Sequence, residues 1–444
     1  MKHFIQSVVL MIISSMIVFA TSCSDEKDEP VDNKAKFTVM LYGCGGATLD
    51  DAFFDNLKQA IAYGSTDDVK MTYLMKLSKV YAENHDVGNM EGTFRMMLPE
   101  RRDTTGLDVF KLETTRIGDS TIPLYEPQTL AEFIKWSAQV APAENYILVL
   151  WNHGGGWNIS SDARKTRSIL SDDNVDKHPM ALWQCVQGIK DSGIRLKVLL
   201  TDACNMHTLE NLFDYATVAD YCVGAAQPTP DYGTNYYNLL KHLNSVTTGD
   251  ESLEKQLRLF ADGQQTYWFT HPLETDYDKD EYYGDMGVVD LRKLPAVASA
   301  VSDIAGELCS SYATHHDAYD LAAEQCHLLF PARGAELGKY RCGFDAYDYF
   351  NQLAVTSGND KLRVLADRFA QALAQAQYRV TCNPSFRNWK GNVSVGIIVT
   401  NEALYNELNY EKTYPLLEFD KQSGWSRWLK TNQHHPSGKI TYTD

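Results

Sequence analysis

Two reactive side chains each stand just beyond an apolar run of the sequence. His153 follows the run Tyr146–Trp151, and Cys204 follows the run Leu196–Leu200. A thiol can attack a carbonyl carbon, and an imidazole can take up and release the proton that such a reaction moves. The chain therefore carries the two side chains that a cysteine nucleophile needs.

The two apolar runs also predict the elements that would bring these side chains together. Continuous apolar runs of about four to eight residues are typical of parallel strands covered on both faces. Helical spacing over Gln128–Val140 and near Met180–Ile189 places a helix before each strand, as in βαβ units with right-handed crossovers. Functional groups gather at the carboxyl ends of such strands, so His153 and Cys204 are expected at one edge of the sheet.

The alternation of strands and helices continues to about residue 260, after which long helical stretches dominate. Further strands are predicted over Phe37–Tyr42, Val69–Met75, Tyr221–Ala226 and Val393–Val399, and further helices over Leu49–Ile61, Met206–Phe213, Ala296–Tyr312 and Leu362–Tyr378. We therefore predict an α/β region over 37–260 and a C-terminal region, 261–444, packed against it.

Composition limits the possible partners and cofactors. The 444 residues carry a formal net charge of -17, which argues against nucleic acid and favours cationic peptides. The nine cysteines include no C-x-x-C pair, so neither a zinc site nor a dense disulfide framework is expected. Gly43–Gly46 lacks the lysine and spacing of a phosphate loop. We expect neither a metal nor a cofactor.

The N-terminus predicts export. A short basic start and the apolar run Val8–Ala20 are typical of a secretory signal, here assigned to residues 1–22. Phe19–Cys23 is similar to a bacterial lipobox, in which the cysteine is lipidated; a cleaved soluble signal with an incidental Cys23 is the alternative. Residues 23–36 are charged and poor in apolar side chains, which predicts a flexible acidic tether. The expected location is the bacterial outer membrane, with surface exposure left open.

The motifs around the two reactive residues carry a resemblance to a known family. Trp151-Asn-His-Gly-Gly-Gly-Trp157 and Thr201-Asp-Ala-Cys-Asn-Met206 resemble the two motifs of the clostripain family of cysteine peptidases, which belongs to the group of caspases, gingipains and legumains. The resemblance extends to Phe37–Tyr42 and Gly424–Trp428. It implies a caspase-like α/β/α sandwich with a mostly parallel central sheet and a C-terminal, mainly helical extension.

The resemblance implies a role for each motif residue. Cys204 would be the nucleophile and His153 would protonate the leaving amine, while the backbone N–H groups of Gly154 and Cys204 are candidates for the oxyanion hole. A helix starting just after Cys204 would favour the thiolate. His207, expected one helical turn from Cys204, is a rival base.

The same resemblance implies a preference for basic residues and a route of activation. Asp202 would line the pocket for the residue before the cut bond and select Arg or Lys by a charge-assisted hydrogen bond. As an alternative, Asp202 could cap the following helix. The basic loop 158–168 would be cut internally after Arg167 or Lys165, unless it is a plain surface loop.

Together these features predict a lipid-anchored cysteine endopeptidase that cleaves after Arg or Lys. Its partners would be peptide or protein substrates and, through the anchor, a membrane. The alternative is a catalytically inactive surface-binding lipoprotein that retains the fold. The sequence does not specify a calcium requirement, the physiological substrate or the oligomeric state.

Overall fold

The computed structural model describes residues 34–43, 49–84, 91–157, 169–172, 178–270, 284–331, 341–381, 394–400 and 402–433. The strands in these ranges are β1 Ala35–Gly43, β2 Val69–Leu77, β3 Gly92–Met97, β4 Thr115–Gly118, β5 Ala143–Trp151, β6 Ile169–Asp172, β7 His178–Met180, β8 Leu196–Asp202, β9 Ala219–Gly224, β10 Asp285–Asp290, β11 Leu328–Pro331, β12 Arg341–Asp345, β13 Gln377–Thr381 and β14 Gly396–Ile398.

The α-helices are α1 Asp50–Tyr63, α2 Lys79–Asn84, α3 Pro127–Val140, α4 Leu182–Ser192, α5 Leu209–Tyr215, α6 Tyr236–Asn244, α7 Gly249–Thr270, α8 Leu294–Gln325, α9 Ala346–Ser357, α10 Asp360–Ala376, α11 Glu402–Glu407, α12 Tyr410–Thr413, α13 Glu418–Ser423 and α14 Ser426–Asn432. Among the described residues, no helix has the length and apolar character that crossing a membrane requires.

A nine-stranded sheet within the described chain forms the centre of the fold. Its strand order is β13-β10-β9-β8-β5-β1-β2-β3-β4. The strands β9, β8, β5, β1 and β2 pair in parallel, whereas β10, β13, β3 and β4 join antiparallel at the two sides. The inner strands are almost entirely buried, which explains their continuous apolar sequences.

Two apolar cores cover the two faces of this sheet. One core packs side chains of α3, α4, α5 and the C-terminal helices, including Phe133 and Phe350, against the sheet. The other packs side chains of α1, α6 and α7, including Phe53 and Phe260, against the opposite face. The arrangement is an α/β/α sandwich with a mostly parallel central sheet, which confirms the predicted fold class.

The C-terminal half contributes to the sheet as well as to the helical layers. Strands β10 and β13 extend the central sheet beyond β9, and β11, β12 and β14 form a small separate sheet. The tether predicted over 23–36 overlaps β1, which already begins at Ala35.

The helix after Cys204 begins later than the sequence predicts. The helix α5 starts at Leu209, where the Thr208 side chain accepts a hydrogen bond from the backbone N–H of Asn211. The chain between Cys204 and Thr208 is a turn, in which Asn205 has a left-handed φ of 60°. The expectation that a helix dipole acts on Cys204 is therefore wrong, because that effect fades beyond the first helical turn.

Candidate active site

The ends of β5 and β8 bring the two predicted motifs together. Trp151, the last residue of β5, pairs with Asp202, the last residue of β8. Just beyond, the backbone N–H of Asn152 donates to the carbonyl oxygen of Asp202 at 3.3 Å. His153 and Cys204 thus leave adjacent strands at the same carboxyl edge, as the strand pattern predicts.

Gly154 packs directly on the backbone of Cys204. A Cβ atom at position 154 would lie 2.1 Å from the Cys204 carbonyl oxygen and 2.8 Å from its backbone nitrogen. Any side chain would therefore push the two motifs apart. The glycine that follows His153 is required by this contact.

One pocket collects the predicted site residues. His153 and Cys204 are both partly exposed there. The described residues that line the pocket are Leu49, Trp151, Asn152, His153, Asp202, Cys204, Thr229, Pro230, Asp231 and Gly233. Thr229 to Gly233 come from the segment after β9, which sequence analysis did not connect with the site.

The Cys204 thiol contacts Thr229 on that segment. The backbone nitrogen of Thr229 lies 3.3 Å from Cys204 Sγ, and Thr229 Oγ1 lies 3.6 Å from it. The carbonyl oxygen of Thr229 is 3.9 Å from the same sulfur atom. The sequence signal for this residue is its place between Pro228 and Pro230, which predicts a constrained turn but not the contact with the thiol.

Asp202 lies at the inner side of the pocket. Its Oδ2 accepts hydrogen bonds from the Tyr236 hydroxyl at 2.7 Å and from the backbone N–H of Thr234 at 3.0 Å. Burial raises the pKa of Asp202, against the opposing effect of these hydrogen bonds. The alternative role of Asp202 as a helix cap is wrong, because Thr208 caps α5.

The pocket wall next to Asp202 is held by α7. The Gly233 carbonyl oxygen accepts hydrogen bonds from Trp268 Nε1 at 2.7 Å and from Gln264 Nε2 at 3.1 Å. Gly233 has a φ of 60°, and a Cβ there would lie 2.9 Å from the Asp202 carboxylate. A second carboxylate, the exposed Asp231, lines the same pocket and was not identified from the sequence.

His207 lies away from the pocket, in the core. It is completely buried, with Nε2 3.4 Å from Cys222 Sγ and Nδ1 3.0 Å from an Arg379 nitrogen. Burial, followed by the nearby Arg379 charge, holds the pKa of His207 well below its usual value. The predicted position one helical turn from Cys204 is wrong, since the intervening residues form a turn.

The predicted self-cleavage and lipidation residues, Arg167, Lys165 and Cys23, lie outside the described residues, as does the signal segment 1–22. The described residues on both sides of the loop 158–168, Trp157 and Ile169, are buried. Trp157 is buried, 5.5 Å from Tyr410 and 5.0 Å from Tyr414 between ring centroids.

The chain that follows the loop 158–168 packs next to His153. Ile169 forms an antiparallel bridge with Gly154, and the backbone N–H of Leu170 donates to the His153 carbonyl oxygen at 3.2 Å. Leu170 is buried with a left-handed φ of 58°. The residue that follows the loop, Ile169, is therefore held beside the motif that contains His153. Within the described part of the chain, no cluster of His, Cys, Asp and Glu side chains could hold a metal ion.

Comparison with known proteins gives relatives in sequence and in fold. Clostripain from Hathewaya histolytica is 28% identical over 191 residues, which is 40% of this chain and 36% of that protein. The chain thus matches little more than a third of the length of this curated relative.

Two solved structures share the fold at low sequence identity. A secreted C11 cysteine protease from Bacteroides thetaiotaomicron, "iotapain", has a TM-score of 0.59 at 15% identity, covering 88% of this chain and 99% of that one. An inactive zymogen of a C11 protease from Parabacteroides distasonis has a TM-score of 0.61 at 19% identity, covering 88% and 98%.

The family model of the clostripain family, peptidase family C11, matches residues 112–428, which is more than half of the chain and includes both motifs. The chain therefore belongs to the clostripain family.

Proposed function

We propose that this chain is a cysteine endopeptidase in which Cys204 and His153 form the catalytic dyad and Asp202 selects Arg or Lys. The observation that carries the proposal is that all three residues line the same pocket, at the ends of the adjacent strands β5 and β8. Membership in the clostripain family supports the same activity.

The dyad would work in two chemical steps. The Cys204 thiolate attacks the carbonyl carbon of the scissile peptide bond, and a C–S bond forms. The C–N bond then breaks as the His153 imidazolium gives its proton to the leaving amine. Water attacks the resulting thioester, His153 takes a proton from it, and the thiolate leaves with the carboxylic acid product released.

Backbone amides would stabilise the negative charge on the carbonyl oxygen. The N–H groups of Gly154 and Cys204 are the proposed oxyanion hole. The tight packing of Gly154 on the Cys204 backbone supports this, because it holds the backbone of Gly154 next to the backbone nitrogen of Cys204. A side chain at position 154 would separate them.

A buried carboxylate suits the recognition of a basic side chain. Asp202 has lost most of its contact with water, so a guanidinium or ammonium group that enters the pocket would find a weakly screened partner. Asp231 adds a second negative charge at the pocket. Both carboxylates would repel an acidic substrate side chain and offer nothing to an apolar one.

Internal cleavage after Arg167 or Lys165 is the proposed activation step. The loop that contains them starts at the anchored Trp157 and ends at Ile169, which bridges to Gly154 beside the dyad. A basic residue in this loop would therefore start close to the pocket that is proposed to accept it. The Cys204→Ala protein should stay a single chain, whereas wild type should yield two associated fragments with a new N-terminus at Ser168 or Thr166.

We also propose lipidation at Cys23 and anchoring to the outer membrane. The support is the sequence pattern around Cys23, together with the description of the Bacteroides thetaiotaomicron relative as secreted. Fractionation of cells that express wild type and Cys23→Ser tests this. Wild type should stay with the membrane, and the variant should not.

The function is tested with peptides that carry Arg, Lys, Asp or Leu before a reporter group. Wild type should release the reporter from the Arg and Lys peptides, and Cys204→Ala should release none. Absence of hydrolysis by correctly folded wild type, before and after limited proteolysis of the loop 158–168, would favour the inactive binding protein instead.

A further inference from the structure

Three polar atoms of Thr229 surround Cys204 Sγ on one side. The backbone nitrogen lies 3.3 Å, Oγ1 3.6 Å and the carbonyl oxygen 3.9 Å from the sulfur. In the thiol form the sulfur can donate its proton to the carbonyl or to Oγ1. In the thiolate form only the N–H and the hydroxyl can interact favourably, since both donate.

Thr229 is set apart by its sequence neighbours. Pro228 and Pro230 have fixed φ angles and lack an N–H group, so the Thr229 N–H is the one backbone donor of this tripeptide. The residue before a proline is restricted to extended conformations, which applies to both Gln227 and Thr229. The amide that points at Cys204 Sγ is therefore held in place by local stiffness as well as by the contact.

A buried ion pair from the C-terminal half fixes the start of this segment. Asp285 accepts hydrogen bonds from the backbone N–H groups of Ala226 at 3.1 Å and Gln227 at 2.8 Å, and it pairs with the buried Arg379. The Gln227 carbonyl oxygen accepts in turn from the backbone N–H of Asn205, next to the thiol. The backbone N–H of His207 also donates to the Ala225 carbonyl oxygen at 2.9 Å, so several contacts join the segment that carries Thr229 to the turn that carries Cys204.

The late start of α5 leaves the thiolate without the support of a helix N-terminus. The other titratable groups that line the pocket are His153 and two carboxylates, Asp202 and Asp231. Hydrogen-bond donors at the sulfur would stabilise a negative charge there.

We propose that Thr229 is a further catalytic residue, whose backbone N–H and hydroxyl donate hydrogen bonds to the Cys204 thiolate and orient Sγ for attack. The inference rests on the proposed function for its biological meaning, but the state of the thiol can be measured without any peptidase assay. A hydrogen bond to a charged acceptor is strong enough to change the ionised fraction about tenfold.

The test is the pH dependence of Cys204 alkylation by iodoacetamide in the full chain, followed by mass spectrometry of the Cys204 peptide. Thr229→Val removes the hydroxyl and keeps the amide and the shape, while Thr229→Ser keeps both donors. Thr266→Val, on the exposed side of α7, is the matched control. We expect about tenfold slower alkylation at neutral pH for Thr229→Val, with the pH profile moved to higher pH, and near-normal behaviour for the other two variants.

Equal alkylation of wild type and Thr229→Val across the pH range would overturn the proposal. Alkylation of Thr229→Ser as slow as that of Thr229→Val would also overturn it. Matching melting temperatures for the Val and Ser variants ensure that the difference reports on the hydroxyl. If peptide hydrolysis is absent in wild type while the alkylation difference is present, the proposed function fails and the assignment of Thr229 as the thiolate donor stands.

Discussion

Two cysteine–histidine pairs within the described residues lie in opposite surroundings. Cys204 and His153 line a pocket at the carboxyl edge of the sheet, and both are partly exposed. Cys222 and His207 touch each other at 3.4 Å inside the core, and both are completely buried. The same side chains therefore occur once where a substrate can reach them and once where it cannot.

Electrostatics separates the pairs further. Burial raises the pKa of the Cys222 thiol, and burial together with Arg379 lowers that of His207. Because Arg379 can only donate, His207 Nδ1 must accept, so Nε2 carries the proton and donates to the Cys222 sulfur. The buried pair is held neutral, with the thiol as acceptor.

A short Cys–His distance is therefore a poor guide to reactivity. Exposure to the pocket distinguishes the Cys204–His153 pair from the core pair, and in our proposals hydrogen-bond donors to the thiolate and a carboxylate for a basic side chain distinguish it further. Matched substitutions in the two pairs should therefore have different effects on activity and on stability.

Removing the two thiols should have very different consequences. Cys204→Ala should reduce hydrolysis of an Arg peptide by about 10⁶-fold, to the background rate, because the covalent step is lost. Cys222→Ala should keep activity within a few-fold and lower the unfolding free energy by about 1 kcal/mol, since it removes a small buried side chain. Steady-state kinetics and urea unfolding measure both. Full activity of Cys204→Ala would assign the nucleophile elsewhere.

Removing the two imidazoles should again affect activity in one case and stability in the other, with a smaller loss of activity than for Cys204→Ala. His153→Ala should lower kcat by about 10²- to 10⁴-fold with an unchanged melting temperature. His207→Gln, which retains a donor near the Cys222 sulfur, should cost about 1 to 3 kcal/mol of stability and leave kcat close to wild type. If His207→Gln loses activity while His153→Ala keeps it, His207 and not His153 is the catalytic histidine.

The pocket pair should depend on its carboxylate. Asp202→Asn should lower the preference for Arg or Lys over Leu by about ten- to a hundredfold, measured as the ratio of kcat/KM values. Burial raises the pKa of Asp202, so its charge costs stability at neutral pH, and the variant should melt at an equal or higher temperature. Asp220→Asn, which alters a surface ion pair with Lys197, is the control. Unchanged preference in Asp202→Asn would remove Asp202 from the recognition of substrate.

The buried His207 should make the unfolding free energy depend on pH. With its pKa held below the unfolded value of 6.5, His207 binds a proton in the unfolded chain before it does so in the folded protein. Stability is therefore lost as pH falls through about 6.5, by up to about 1.4 kcal/mol per pH unit. His207→Gln should lack this contribution, and urea unfolding at about pH 7 and about pH 5.5 should show a smaller loss than in wild type. An equal loss in both proteins would mean that His207 titrates normally.

Much of the fold is visible in the sequence because the inner strands are buried on both faces. The strands β5 and β8 appear as continuous apolar runs, and α3 follows its helical spacing to within a residue at its start. The strands β10 and β13 were not predicted, since they are short and exist only through pairing with distant segments.

The candidate site was predictable in part for the same reason. His153, Asp202 and Cys204 stand at strand ends, so the strands themselves bring them to one edge. Thr229 and Asp231 reach the pocket through a turn after β9, and no local pattern says which residue that turn will contact. The position of His207 was predicted wrongly because the helix was expected to begin directly after Cys204. The helix α5 begins only at Leu209, with Thr208 as its N-cap.

The most direct measurement is covalent labelling with a peptide that carries Arg next to an acyloxymethyl ketone, followed by mass spectrometry of every cysteine peptide. The account predicts stoichiometric modification of Cys204, no modification of Cys222, and loss of labelling in His153→Ala at a matched time. A matching Asp peptide should not label. Modification of any other cysteine, or equal labelling by the Arg and Asp peptides, would contradict the assignment of this pocket as the basic-specific active site.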